Sequence, residues 1–231
     1  MSASRQAKRL SRGVLVAIEG IDGCGKSTQA QLLVERLAAA GLDVVRTREP
    51  TDGPHGRRLR ASASHGRLAA REELDAFVAD RREHVRDAIG PALAACKVVI
   101  LDRYYFSTAA YQGARGLDPD EIVRDNESFC PVPDLLVLLD VPVEECVRRI
   151  SERDETADRR GADLFENTDE LRRVQAIFDR VDRPFALRLD GTSDALAVHE
   201  RVVRALDERV LEALGLRSAD APAPHAGARN R

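Results

Sequence analysis

Residues 14–28 read VLVAIEGIDGCGKST. Val14–Ile18 is a short apolar run of strand length, bounded by a glycine loop. A helix-forming stretch opens near Lys26. Gly20, Gly25, Lys26 and Ser27 fit G-x-x-x-x-G-K-[ST], the pattern of a phosphate-binding loop. The chemistry asks for these residue types. Successive backbone N–H groups must converge on one anion, and glycines let the backbone come that close. The helix N-terminus adds partial positive charge. Lys26 is spaced to reach the β- and γ-phosphates of a nucleotide, and the Ser27 hydroxyl to ligate Mg²⁺.

The rest of the chain sets the bounds. At 231 residues it has the length of one α/β domain with a sizeable core. The net charge of −3 gives no field that favours a nucleic acid or a membrane surface. Cys24, Cys96, Cys130 and Cys146 are scattered without C-x-x-C, so they read as reduced thiols in the cytoplasm. The five histidines include no H-E-x-x-H. The N-terminus is basic but lacks the apolar run of a signal peptide. The longest apolar run, Leu135–Leu139, is too short to span a bilayer.

Taken in order, residues 1–12 read as a solvated basic tail, and 13–216 as one domain. Strands are expected at 14–19, 43–47, 98–102, 134–140 and 185–189. Helices are expected between them. The first carries Ala30, Leu33, Val34, Leu37 and Ala40 at helical spacing and ends at Gly41. Residues 48–53 read as a loop. A single long helix is expected over 71–95, with Leu74, Val78, Val85 and Ile89 as its core stripe. Phe77, Arg81 and His84 lie on a neighbouring stripe. Further helices are expected over 107–113, from Asp118, from Pro142 to about Glu152, over 169–181 and over 194–214. Residues 153–163 are charged and apolar-poor, and read as a loop or flap. Residues 217–231 are rich in Pro and Ala and read as a disordered tail.

Alternating strands and helices imply a parallel sheet covered on both faces. Ligands of such sheets sit at the carboxyl ends of the strands. The glycine loop, Arg48, Asp102-Arg103 and Gly191-Thr192 all fall there. Asp102 closes an apolar strand, where a carboxylate can hold Mg²⁺ through water. Arg103 follows, where a guanidinium can bridge two phosphates and stabilise a transferring phosphoryl group.

The segments AIEGIDGCGKSTQ, TREP, Phe77-x-x-x-Arg81, DRYYFSTAAYQG and Phe165-Glu166-Asn167 together resemble thymidylate kinases, in that family's order and spacing. The resemblance covers about residues 14–190. It implies a three-layer P-loop kinase fold: a five-stranded parallel sheet of order 2-3-1-4-5, helices on both faces, and a short lid at 153–163. It implies transfer of the ATP γ-phosphoryl group to dTMP, with Mg²⁺, in a homodimer with no nucleic acid or membrane partner. On that resemblance ATP contacts Gly20, Ile21, Asp22, Gly23, Cys24, Gly25, Lys26, Ser27, Thr28, Gly191 and Thr192. Asp22 approaches the acceptor sugar, Phe77 stacks on thymine, and Arg81 donates to O4. Thr108 faces N3, Tyr111 crowds the 2′ position, and Gln112 belongs to the same motif. Arg48 lies near the acceptor phosphate, and Glu166 near the metal and acceptor. Lys26, Asp102, Arg103 and the lid arginines Arg153, Arg159 and Arg160 are the catalytic set, with Ser27 and Asp102 toward the metal.

Two departures from that resemblance stand out. Gly23 occupies the place where some members carry a catalytic arginine, which shifts the transition-state charge to the lid. Thr51-Asp52-Gly53-Pro54 replaces the frequent Gly-Gly-Thr, which leaves this loop's contacts to the acceptor phosphate open. Two other readings compete: another P-loop nucleotide or deoxynucleoside kinase, and a non-catalytic nucleotide-binding module. A GTP switch would show N-K-x-D on a late strand, and the late strand instead ends Asp190-Gly191-Thr192.

Overall fold

The computed structural model describes residues 10–153 and 161–216, with the side chains of 64, 65, 153 and 161–167 outside the description. Five strands form one parallel sheet: β1 (Val14–Glu19), β2 (Val44–Arg48), β3 (Val98–Asp102), β4 (Leu135–Asp140) and β5 (Ala186–Asp190). Their order is β2-β3-β1-β4-β5, as expected. β1 is central, with Val16 in register with Ile100 on one side and Leu135 on the other.

Burial explains the order. Every residue of β1 and β3 is buried, and so are the first five of β4. Successive side chains point to opposite faces, so unbroken burial means that both faces are covered. The edge strands differ. β2 carries Arg46 and Arg48 and β5 carries Arg188, with exposed positions in each. Charge along an edge discourages pairing with another sheet.

The helices are α1 (Lys26–Ala39), α2 (Pro54–His65), α3 (Ala70–His84), α4 (Gly90–Ala94), α5 (Tyr105–Gly113), α6 (Pro119–Glu127), α7 (Val143–Arg153), α8 (Gly161–Asp179) and α9 (Ala195–Leu206). α1 ends as expected: Gly41 takes φ +84°, and the Leu42 N–H donates to the Leu37 carbonyl at 3.0 Å.

Five expectations need correction. Residues 10–12 belong to the fold, since Leu10 is buried in the core and Arg12 pairs with Asp134 at 2.7 Å. α2 is an element that the sequence pattern does not announce. Its polar sequence buries little beyond Gly56 and Leu59, although Pro54 in the first turn is a helix-start signal. The long helix over 71–95 is interrupted. Val85–Ile89 is a π-helical turn in which the Gly90 N–H reaches back to the Val85 carbonyl. Pro91 follows, has no N–H to continue an α ladder, and starts α4. The last helix likewise leaves α geometry at Asp207. Finally, α8 begins at Gly161, so residues 161–163 of the expected flap are helical.

Candidate active site

The glycine loop leaves β1 at Gly20 and enters α1 at Gly25. Gly20, Gly23 and Gly25 take φ values of +138°, +84° and +105°, which L side chains rarely adopt. A Cβ on Gly23 would lie 2.5 Å from the Cys146 carbonyl oxygen. An arginine at this position has no room, because α7 packs against the loop there. α1 has no side chain capping its N-terminus, so its first-turn N–H groups are left for an anion.

Lys26 is buried, and its Nζ donates to the Gly20 and Ile21 carbonyls at 3.0 and 2.8 Å. Ser27 Oγ donates to Asp102 Oδ2 at 2.5 Å. These two residues come from α1 and β3 and set hard oxygen donors side by side. Among the described residues no group of three His, Cys, Asp or Glu side chains could hold a metal alone.

Two cavities open at this end of the sheet. The first, of about 260 Å³, is lined by Asp22, Gly23, Gly25, Lys26, Ser27, Thr28, Arg48, Arg60, Asp102 and Arg103, with Glu49 and Pro50. The second, of about 230 Å³, is lined by Phe77, Tyr104 and Tyr111, and by the polar ends of Arg81, Thr108, Gln112, Arg67, Glu73 and Ser107. Asp22, Glu49, Pro50 and Arg103 line both. The first is a charged phosphate-sized site, and the second is an aromatic slot with polar ends.

The shared wall is an ion pair. Arg103 Nη2 donates to Asp22 Oδ1, Tyr111 donates its hydroxyl to Asp22 Oδ2 at 2.9 Å, and that same hydroxyl accepts from the Asp22 N–H at 3.1 Å. Burial pushes the Asp22 carboxyl up, but Arg103, Lys26 and the Tyr111 hydrogen bond outweigh it and hold the group below the usual carboxylate range. Burial also pulls Arg103 down. Tyr111 and Asp22 overcome this and leave it raised, so it is charged throughout.

Arg103 holds a left-handed backbone, φ +71°. Such a conformation costs about 1–3 kcal/mol and persists where the surroundings impose it. Glu19, fully buried, imposes it. Its carboxylate accepts from the Tyr104 N–H at 2.8 Å, the Ser107 N–H at 3.0 Å and the Ser107 hydroxyl. Burial pushes the Glu19 carboxyl up to about 7, against the pull of Ser107, Arg103 and Tyr104. The reading of the sequence missed Glu19. Its signal was an acid closing an otherwise apolar strand.

Arg81 is 1% exposed and packs among fixed partners. Its Nε donates to Glu49 Oε2 at 2.7 Å, Nη1 to Asn126 Oδ1 at 2.7 Å, and Nη2 to Thr108 Oγ1 at 2.8 Å. Nη2 also lies 2.6 Å from Glu49 Oε2. Burial disfavours the charge, but Glu49 outweighs it and raises the Arg81 pKa. His84 Nδ1 faces Glu49 Oε1 at 3.0 Å, and its Nε2 faces the Thr47 hydroxyl at 2.7 Å. The carboxylate can only accept, so Nδ1 donates to it. Glu49 and Asn126 were absent from the expected set.

Other expected residues separate into four groups. Phe77 is half-buried in the wall of the second cavity, and Gln112 is fully buried there, donating to Glu73 at 2.6 Å. Arg48 and the unanticipated Arg60 line the first cavity. Gly191 packs near the glycine loop, where a Cβ would lie 3.6 Å from the Cys24 carbonyl oxygen. Thr192 is turned back onto Asp190, with both its N–H and hydroxyl on Oδ1. Neither Gly191 nor Thr192 is among the cavity-lining residues. Arg159 and Arg160, and the side chains of Arg153 and Glu166, lie outside the described residues.

A phosphate loop on a parallel sheet of this order, beside an aromatic slot and joined to it by an arginine, defines a P-loop kinase of the nucleoside-monophosphate class. Comparison with known proteins narrows the class. The thymidylate kinase family model matches residues 18–202. The thymidylate kinase of Akkermansia muciniphila is 46% identical over 204 residues, covering 88% of this chain and 96% of that protein. That of Xanthomonas campestris pv. campestris is 46% identical over 202 residues, covering 86% of each. The crystal structure of thymidylate kinase from Ehrlichia chaffeensis superposes with a TM-score of 0.67 at 29% identity, over 84% of this chain and 98% of that one. The chain belongs to the thymidylate kinase family.

Proposed function

We infer that this chain transfers the γ-phosphoryl group of ATP to dTMP, giving ADP and dTDP. The observation that carries the reading is the shared wall. Asp22 and Arg103 line both the phosphate cavity and the aromatic slot, so donor and acceptor phosphates would meet across one ion pair. In this reading the glycine-loop N–H groups hold the ATP phosphates. Lys26 leaves its loop carbonyls to follow the charge onto the transferring group. Arg103 bridges donor and acceptor oxygens, and its fixed backbone spares it reorganisation when charge develops.

Ser27 and Asp102 offer the hard oxygens that Mg²⁺ takes and would hold it beside the phosphate cavity. Bound there, the ion would neutralise charge on the β- and γ-oxygens. Arg153, Arg159 and Arg160 are read from the sequence as completing the charge around the transferred group. The cytoplasm is the proposed setting, and among the described residues no helix is long and apolar enough to cross a membrane. The chain is proposed to act as a homodimer, packed through helices flanking the slot.

The slot argues for thymine. Phe77 offers a ring for stacking, and Tyr111, tied to Asp22, leaves little space beside the sugar. Arg81 has five N–H donors, of which three hydrogen-bond to Glu49, Asn126 and Thr108. In this reading a further N–H meets a carbonyl such as thymine O4. Cytosine would set its amino group against that donor, which is costly in a desolvated site. Uracil lacks only the methyl, worth about 1–3 kcal/mol.

An acceptor panel of dTMP, dUMP, UMP, dCMP and AMP, read by ADP release with Mg²⁺, tests this. We expect kcat/KM to be highest for dTMP and about 10- to 200-fold lower for dUMP. Turnover of dCMP and AMP should be lower still. A better acceptor than dTMP would refute the assignment. Binding of ATP with no acceptor-dependent turnover would refute the enzyme.

A further inference from the structure

The loop after β2 departs from the glycines frequent in this family, and the departure places a carboxylate among the phosphate-site arginines. Arg48, at the end of β2, and Arg60, on α2, both line the first cavity. Both are drawn to a single oxygen. Asp52 Oδ1 lies 3.3 Å from Arg48 Nη2 and 2.8 Å from Arg60 Nη2. No phosphate is needed to hold these guanidiniums together, because a side chain of the loop already does so.

Among the described residues the carboxylate pairs with these two arginines, and it is 77% exposed. The loop does not depend on it. Thr51 is fixed by Asp80, which accepts from its N–H at 2.8 Å and its hydroxyl at 2.6 Å. Arg60 Nη1 donates to the Pro50 carbonyl at 3.0 Å, and Arg57 Nη1 to the Asp52 carbonyl at 2.5 Å. Backbone contacts thus anchor the loop and keep Arg60 beside it, while the Asp52 carboxylate serves only the two arginines. An exposed ion pair of this kind is weak, and a dianion can displace it.

We propose that Asp52 is a resident anion that occupies Arg48 and Arg60 until the acceptor's phosphate displaces it. Its charge thereby tunes acceptor affinity and keeps stray phosphate out of the empty site. The proposal rests on the dTMP kinase reading above and adds to it that the acceptor phosphate enters the first cavity beside Arg48 and Arg60. It accounts for an exposed and a half-buried arginine gathered by one acid at a site that must receive an anion. Removing the negative charge should therefore strengthen the binding of phosphate-bearing ligands and of nothing else.

Three full-length proteins decide the matter: wild type, Asp52→Asn and Arg60→Met. Titration calorimetry would give Kd for dTMP and for thymidine, and steady-state assays would give inhibition by inorganic phosphate. Asp52→Asn should bind dTMP about 3- to 10-fold more tightly, as expected for the loss of one or two exposed ion pairs. Its affinity for thymidine should be unchanged, and inorganic phosphate should inhibit it more strongly. Arg60→Met should weaken dTMP and leave thymidine alone. If Arg60→Met weakens dTMP while Asp52→Asn binds it no tighter than wild type, the displaced-anion role is wrong and the phosphate placement stands. If Arg60→Met binds dTMP like wild type, the phosphate does not meet these arginines, and the proposal falls with that placement.

Discussion

Replacing Arg103 with methionine is expected to lower kcat by about 10³-fold while thermal unfolding stays cooperative. The expectation follows from position and preparation together. Arg103 lines both cavities and is charged throughout, and Glu19 holds its backbone in a left-handed turn. A guanidinium fixed before the reaction needs no rearrangement when charge spreads over the transferring phosphoryl group. Lysine at 103 should recover only part of the rate, since a point charge cannot bridge two oxygens as a planar fork does. KM for ATP should change far less than kcat, because in the proposed arrangement the glycine loop and Lys26 hold the donor without Arg103. Steady-state kinetics separates the two effects. A methionine enzyme within 10-fold of the wild-type kcat would remove Arg103 from the chemistry.

The second large effect concerns stability. Arg81→Met should destabilise the fold by about 3–5 kcal/mol, the usual cost of stranding one member of a buried pair. The partner left behind is Glu49, 5% exposed, which would keep only the His84 ring among its side-chain contacts. Asn126 and Thr108 would each lose a donor as well. Urea unfolding measures the loss. Adding Glu49→Gln to Arg81→Met should recover part of it, because the stranded charge is then gone. A single variant within about 1 kcal/mol of wild type would show that the cluster is not held by charge. The same substitution should weaken selection of dTMP over dCMP, since the slot would lose the guanidinium that lines it.

These two sites also mark what a sequence can and cannot reveal. The glycine loop was legible because its chemistry lies in consecutive residues, Gly20 to Thr28, between an apolar strand and a helix. β1, β3 and β4 were legible because burial on both faces writes continuous apolar runs. The Arg81 cluster was not. It joins Glu49, Arg81, His84, Thr108 and Asn126 from four separate segments, and only the folded chain makes them neighbours. The residue types were visible, but a pairing between positions 32 or 45 residues apart leaves no periodic trace. α2 escaped because it buries too little to show an apolar stripe. The π-helical turn at Val85–Ile89 escaped because a 3.6-residue period carries on smoothly through it, although Pro91 marked the spot. Gly23 is the converse case. The missing arginine was plain in the sequence, and the Cys146 carbonyl that leaves no room for a side chain there was not.

The most direct test of the account is a crystal structure of the chain with dTMP and a non-hydrolysable ATP analogue. The thymine ring should lie on Phe77 with O4 toward Arg81, the 5′-phosphate against Arg103, and the analogue's phosphates on the N–H groups of Gly20–Thr28. A pyrimidine bound outside the slot of Phe77, Arg81, Thr108 and Tyr111, or a 5′-phosphate out of reach of Arg103, would contradict it.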